Sequence, residues 1–193
     1  RYIDGVGRTV VETFPSSTSS TSNLYAELLQ RNVIAMHATV IYRRLALEEI
    51  GGFDGCLRAC EDYDVYLRLT REFPVARHES LVAEYRLHDG SMSGDAALML
   101  RGSISVLRRQ WPYVRQRPAF AQAYRQGISF WQHYYGDQLV AEIVRNIRGR
   151  RNGRDAARGI GYLLRYDRPG AICLAARALR RGNRVAQSWF GYV

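Results

Sequence analysis

The spacing of apolar residues changes character near residue 95, and this limits the possible folds more than any other feature of the chain. Upstream, apolar residues come in short runs separated by Gly, Pro, Ser and Asp. Downstream, they recur every three or four residues through long stretches, which is the period of an amphipathic helix. The downstream pattern predicts helices over Asp95–Arg109, Ala119–Tyr134, Asp137–Arg148, Asp155–Leu164 and Pro169–Arg180, with Trp111, Trp131, Tyr134 and Tyr135 as core aromatics on them. Charge switches at the same place. All 28 basic side chains are Arg; residues 1–93 hold 10 of them against 13 acids, and residues 94–193 hold 18 against five, so the net charge of +10 splits into −3 upstream and +13 downstream. A domain boundary is therefore set here, giving 1–95 and 96–193. A basic half of this kind is a solvated helical surface, or it binds anionic lipid headgroups; nucleic acid ranks last of the three.

Upstream, Arg8–Phe14 alternates with β-branched residues after the turn-forming Asp4-Gly5-Val6-Gly7, and reads as the second strand of a hairpin whose first strand is short or missing. Its edge is expected to be unpaired. A Ser/Thr-rich loop, Pro15–Asn23, leads to a short helix over Leu24–Gln30 with Asn23 as N-cap. Val33–Tyr42 is rich in β-branched and apolar residues and predicts a strand buried on both faces, with His37 in its middle a satisfied core histidine in preference to one that approaches the active site. A helical turn, Leu45–Ile50, is stopped by Gly51-Gly52, and a helix over Ala59–Glu72 ends before Pro74. Asp64 and Arg68 lie four apart on that helix and can pair, for about 0.2–0.5 kcal/mol. Val75–Arg77 and Leu81–Leu87 predict short strands, followed by a loop over His88–Gly94.

A hydrophobic fraction of 47% with 24% charged residues is enough to bury a core and excludes disordered and collagen-like classes. No apolar run approaches the roughly 18 residues that cross a bilayer. The three cysteines, Cys56, Cys60 and Cys173, are odd in number and form no C-x-x-C pair, which speaks against a disulfide framework and against a zinc site. A reducing cytoplasm fits them best. The chain opens on Arg1 without an initiator Met or a signal segment, so it is expected to start mid-domain.

Three segments stand together in order: Gly51-Gly52-Phe53-Asp54, then Cys60-Glu61-Asp62-Tyr63-Asp64-Val65-Tyr66-Leu67-Arg68, then Tyr85-Arg86-Leu87-His88 with Gly90-Ser91-Met92-Ser93. Read alone, Glu61 and Asp62 are acids in the first turn of a helix, where they offset the macrodipole by about 0.3–1 kcal/mol. In this order and spacing, preceded by Tyr42-Arg43-Arg44, residues 1 to about 100 closely resemble the second half of family 2 inverting glycosyltransferases. The fold this resemblance implies is α/β: the C-terminal part of a GT-A-like mixed sheet with flanking helices, here followed by an α-helical region.

The resemblance implies transfer of a sugar from a nucleotide-sugar donor to a hydroxyl of a sugar, lipid-linked or other acceptor, with inversion at the anomeric carbon. Such a displacement needs a carboxylate to take the acceptor's proton and a cation on the departing diphosphate. It assigns the base to Asp62, with Glu61 beside it binding backbone or acceptor. Gly52, Phe53 and Asp54 fall on the acceptor side, Phe53 either as an acceptor wall or as a core plug. Arg86 falls where it can contact the diphosphate or pair with an acid such as Glu61, and His88 where a His reaches the metal or the diphosphate, unless it is simply solvated. A divalent metal, Mg or Mn, is implied for the full-length parent, most of whose ligands are missing here: no nucleotide-binding βαβ segment ending in Asp-x-Asp precedes Arg1, and Asp62-Tyr63-Asp64 occupies the base position instead. The expectation is a truncated, singly inactive part of a cytoplasmic enzyme of envelope polysaccharide synthesis, peripheral on the inner face of the membrane. The competing class is a non-catalytic Arg-rich module for anionic membrane or nucleic acid, using Arg108, Arg109 and Arg115 with Arg145, Arg148, Arg150 and Arg151.

Overall fold

A computed structural model describes residues 1–11, 23–34, 36–77, 80–86, 94–148 and 153–176. Their backbone is mostly helical. The strands are β1 (Tyr2–Ile3), β2 (Thr9–Val11) and β3 (Tyr85–Arg86), none longer than three residues, in the order β2-β1-β3. β1 pairs antiparallel with β2 and parallel with β3. The hairpin edge expected to be unpaired is thus paired, across a turn in which the Asp4 carboxylate accepts from the N–H groups of Val6 and Arg8 at 3.0 and 2.8 Å.

The α/β mixed sheet with flanking helices is not present among the described residues, and the expectation is corrected to a helical fold with a minimal strand ribbon. The reason lies in Val33–Tyr42. A strand is held by ladder bonds to a neighbour, and the described residues of this segment make none; the chain instead makes a 3₁₀ turn at His37–Thr39. Ile41 is 95% exposed, the reverse of a strand buried on both faces. His37 is likewise exposed rather than a core residue. Val75–Arg77 forms no strand, and of Leu81–Leu87, whose last residue lies outside the described residues, Tyr85–Arg86 pairs while 81–84 does not.

The helices follow the sequence closely. They are α1 (Leu24–Gln30), α2 (Arg44–Glu49), α3 (Glu61–Glu72), α4 (Ala96–Val114), α5 (Pro118–Trp131), α6 (Asp137–Arg148) and α7 (Gly153–Tyr166), with a π-helical segment at Gln132–Gly136 and helix again over 168–176. Asp95 caps α4, its carboxylate accepting from the Leu98 N–H at 2.9 Å. α4 runs past Arg109 and carries Pro112 in its last turn. Asn23 precedes α1 without a side-chain cap bond.

The backbone groups into two compact units, Arg1–Phe130 and Trp131–Val193. In the first, Leu28 and Leu29 of α1, Tyr63, Val65 and Leu67 of α3, and Leu100, Ile104 and Leu107 of α4 form a buried core. Among the polar groups inside it, the Tyr63 hydroxyl donates to the Leu28 carbonyl, and the Tyr25 hydroxyl to buried Gln110 at 3.1 Å. Asp95, where the sequence pattern switches, begins a helix that packs on α3 within this unit. In the second unit, Leu139, Val140 and Ile143 of α6 pack with Ala156 and Leu163 of α7, and Trp131 stacks on Tyr135 at 5.4 Å. Trp131 and Tyr135 are core as expected; Trp111 and Tyr134 are partly exposed.

Candidate active site around Asp62

The site is built on α3, whose entry is unusual. Cys60, the residue before the helix, is the one non-glycine among the described residues with positive φ, at 63°. That conformation costs about 1–3 kcal/mol and persists only where packing dictates it. Here the packing comes from α4: a Cβ on Gly102 would lie 3.0 Å from the Cys60 sulfur and 3.1 Å from the Ala59 carbonyl oxygen, so glycine at this position lets α4 approach closely without displacing them. Cys60 is buried with its Sγ 3.6 Å from the Ser103 hydroxyl, and burial pushes its thiol up to about 11. The left-handed step sets where the first turn of α3 points its acids.

From there, helical periodicity divides the acids between two faces. Asp64, Arg68 and Arg71 stand at i, i+4 and i+7 on one. Asp62 and Tyr66, i and i+4, stand on the other, because residues two apart differ by about 200°.

The Asp64 face is a clamp. Asp64 is 2% exposed, and its carboxylate accepts from Arg68 Nε at 2.8 Å. The same guanidinium donates to the Ile50 carbonyl at 2.6 Å and the Gly52 carbonyl at 2.7 Å, so it ties α3 to the Gly51-Gly52 turn. Both glycines have positive φ, 80° and 69°, which only residues without a Cβ adopt freely. Asp54 then turns the chain by accepting from the Cys56 N–H at 2.8 Å and pairs with Arg109 of α4 at 2.7 Å. Those bonds hold the Asp54 carboxyl below its ordinary value, the Cys56 N–H first and the Arg109 side chain next. These residues, with Arg71 and Tyr113, line an open cleft of about 510 Å³. The bonds that the motif residues Gly52, Asp54, Asp64 and Arg68 make are those of a loop brace, and Asp62 is not on the cleft wall.

The Asp62 face carries the second acid and a group of rings. Asp62 is half-buried, and burial raises its carboxyl above the ordinary value, opposed by the Tyr63 N–H that donates to Oδ1 at 2.7 Å; neighbouring Glu61 adds to the rise and His37 offsets it. A carboxylate so shifted is a stronger proton acceptor once ionised. Around it stand aromatic rings. Phe53, held outward by the brace and 42% exposed, meets His37 edge to face at 5.5 Å and Tyr42 at 6.0 Å. His37 Nδ1 and the Tyr42 hydroxyl are hydrogen-bonded at 3.2 Å. Burial pushes the Tyr42 hydroxyl up to about 12, and pushes Tyr66 further still, with Asp62 and Tyr42 adding to the Tyr66 shift.

No family model, no curated protein and no solved structure matches the chain. The site therefore has to be read from its own residues. Asp62 and Glu61 stand together in the first turn of α3, whereas Phe53 meets the rings of His37 and Tyr42 and, with Gly52 and Asp54, lines the cleft at the brace. Arg86 does not pair with Glu61: its Nη1 donates to the carbonyls of Asp4 and Gly5 at 3.2 and 3.0 Å, fastening β3 to the β1–β2 turn. His88, assigned to the diphosphate and the metal, lies outside the described residues, as do Arg150 and Arg151. Among the described residues no group of three His, Cys, Asp or Glu side chains is placed to hold a metal ion, so no step below is routed through one. Arg109 of the proposed basic cluster is committed to Asp54 and Asp64. From sequence His37 is expected in the core in preference to the site, and Tyr42 and Tyr66 stand within the motif segments without a site role; the i+4 spacing of Tyr66 from Asp62 is the further signal for it.

Proposed function

We propose that these residues form the acceptor side of an inverting glycosyl transfer, with Asp62 as the general base. The observation that carries this reading is the environment of Asp62: a half-buried carboxylate with a raised pKa, at the start of a helix entered through a strained residue, beside the outward aromatic trio His37, Tyr42 and Phe53. In the reaction an acceptor hydroxyl attacks the anomeric carbon of a nucleotide sugar as the bond to the diphosphate breaks. Asp62 takes the hydroxyl proton, and Glu61 and Phe53 border the acceptor. The groups that bind the donor diphosphate and a divalent metal are assigned to residues outside the described set, with His88 a candidate.

Three free thiols suit a reducing compartment, and we place the reaction in the cytoplasm. No helix among the described residues is long and apolar enough to cross a membrane. A second reading, contact with an anionic membrane surface, draws on α7, where Arg154, Arg158 and Arg165 fall on the face opposite the buried Ala156, Gly159 and Leu163.

The transfer reading is tested with the native gene product that carries these residues, supplied with UDP-, GDP- and dTDP-hexoses and a membrane extract as acceptor source. Acceptor-dependent release of nucleoside diphosphate is expected with one donor class. Absence of release from all of them, by folded protein, contradicts the reading.

A further inference from the structure

One polar atom in the described core has no partner: the hydroxyl of Tyr66, a residue 2% exposed. Buried hydroxyls are nearly always hydrogen-bonded, and an exception in a native fold calls for a reason. The position of this one supplies it. Tyr66 lies one helical turn beyond Asp62 on the same face of α3, and Asp62 and Tyr42 are both near enough to its hydroxyl to shift it, yet the hydroxyl completes no hydrogen bond. Tyr42 is already bonded to His37, and the Asp62 Oδ1 accepts from Tyr63 N–H. The second carboxylate oxygen, Oδ2, is the acceptor left for Tyr66. The charged or titratable groups facing this carboxylate are Glu61 on its own helix, Cys60 just before it, and His37, Tyr42 and Tyr66 around it.

We infer that Tyr66 is a positioning residue for Asp62: its hydroxyl, unpartnered in the free protein, donates to the Asp62 carboxylate when an acceptor occupies the site. This rests on Asp62 being the base. The acceptor's hydroxyl draws the carboxylate into line, and the rotation brings Oδ2 to Tyr66, which then fixes the side chain and holds it ionised. The free protein carries the cost of the idle hydroxyl, and the bound state recovers it. A purely structural tyrosine has no such division, since removing its hydroxyl would either weaken the fold or change nothing.

The test is Tyr66→Phe in the gene product, which keeps the ring and removes only the oxygen. Three readings are taken: thermal melting of the free protein, the kcat and KM of nucleoside diphosphate release from the active hexose donor, and the acid limb of the kcat/KM profile against pH. The expected result is a higher melting temperature, a kcat lower by roughly 10- to 100-fold, the worth of one hydrogen bond to a charged group, and an acid limb moved to higher pH. A variant that melts lower overturns the inference, because the hydroxyl then had a partner. So does one that melts higher with kcat and pH profile unchanged. Asp62→Asn is run beside it: if Asp62→Asn keeps full turnover, the base assignment itself has failed and the role of Tyr66 falls with it. If Asp62→Asn loses turnover while Tyr66→Phe does not, only the Tyr66 inference fails.

Discussion

Replacing Arg68 with Met should unfold the brace beneath the site, and its cost can be worked from the contacts. The aliphatic stem is kept in size, but the guanidinium, 20% exposed on its side chain, is lost from three acceptors: the Asp64 carboxylate and the carbonyls of Ile50 and Gly52. Asp64 is left as a buried carboxylate, and breaking such a pair from one side costs about 3–5 kcal/mol. Arg109, 3.6 Å from the other Asp64 oxygen, remains and recovers part of this, which places the expected loss near 3 kcal/mol, at the low end of that range. At about 2–4 °C per kcal/mol the melting temperature falls by roughly 6–12 °C. Arg68→Lys retains the charge but cannot fork to three acceptors, so it should recover less than half of the loss. Urea unfolding followed by circular dichroism gives the numbers, and Asp64→Asn with Arg68→Met should cost less than the sum of the two singles because the partners share one interaction. An Arg68→Met loss under about 1 kcal/mol, the value of an exposed pair, would refute the brace.

Three further outcomes follow from the same contacts. The Asp62 carboxyl is raised above its ordinary 3.8 by burial, so the folded state binds its proton more tightly than the unfolded chain; the stability this confers is present below about pH 3.8 and lost as pH rises through the folded pKa. Asp62→Asn is accordingly expected to melt higher than wild type at pH 7, with the gap closing on acidification; equal melting at both ends of the range would show the carboxylate is not strained. Gly102→Ala brings a methyl to 3.0 Å from the Cys60 sulfur and should cost about 1–3 kcal/mol as overpacking, read by thermal melting, with a neutral result denying the close approach of α4. Asp95→Ala removes the cap of α4 and should cost about 1 kcal/mol, whereas Asp95→Asn stays near wild type; equal losses in the two would deny the cap.

The helices were legible because their evidence is local. α1 and α6 fall within the residues that the apolar period marks, and Asp95 does what an N-cap aspartate does. The strands were not, because a strand depends on a neighbour remote in sequence: the β-branched run of Val33–Tyr42 carries strand propensity, yet with no partner to take its backbone bonds it is an exposed loop around His37. The site divides along the same line. Asp62 and Phe53 could be named from the order of three short segments. That Asp64 and Arg68 hold the Gly-Gly turn, and that Tyr42 and His37 stand across from Asp62, depends on how the loop before α3 folds back, which spacing does not encode. The strain at Cys60 was invisible for a similar reason, since a cysteine gives no sign of positive φ and the glycine that permits it lies 42 residues away in α4.

The central claim is that Asp62 accepts the proton of an incoming hydroxyl, and it is tested most directly by the single-turnover rate of the Asp62→Asn gene product at saturating donor. Asparagine keeps the shape and one hydrogen-bonding oxygen but accepts no proton at neutral pH. The account predicts a rate lower by about 10²–10⁴-fold, with donor affinity close to wild type, folding intact by circular dichroism, and a smaller loss for Glu61→Gln. A folded Asp62→Asn protein that transfers sugar at the wild-type rate, or a Glu61→Gln protein that alone loses transfer, would contradict it.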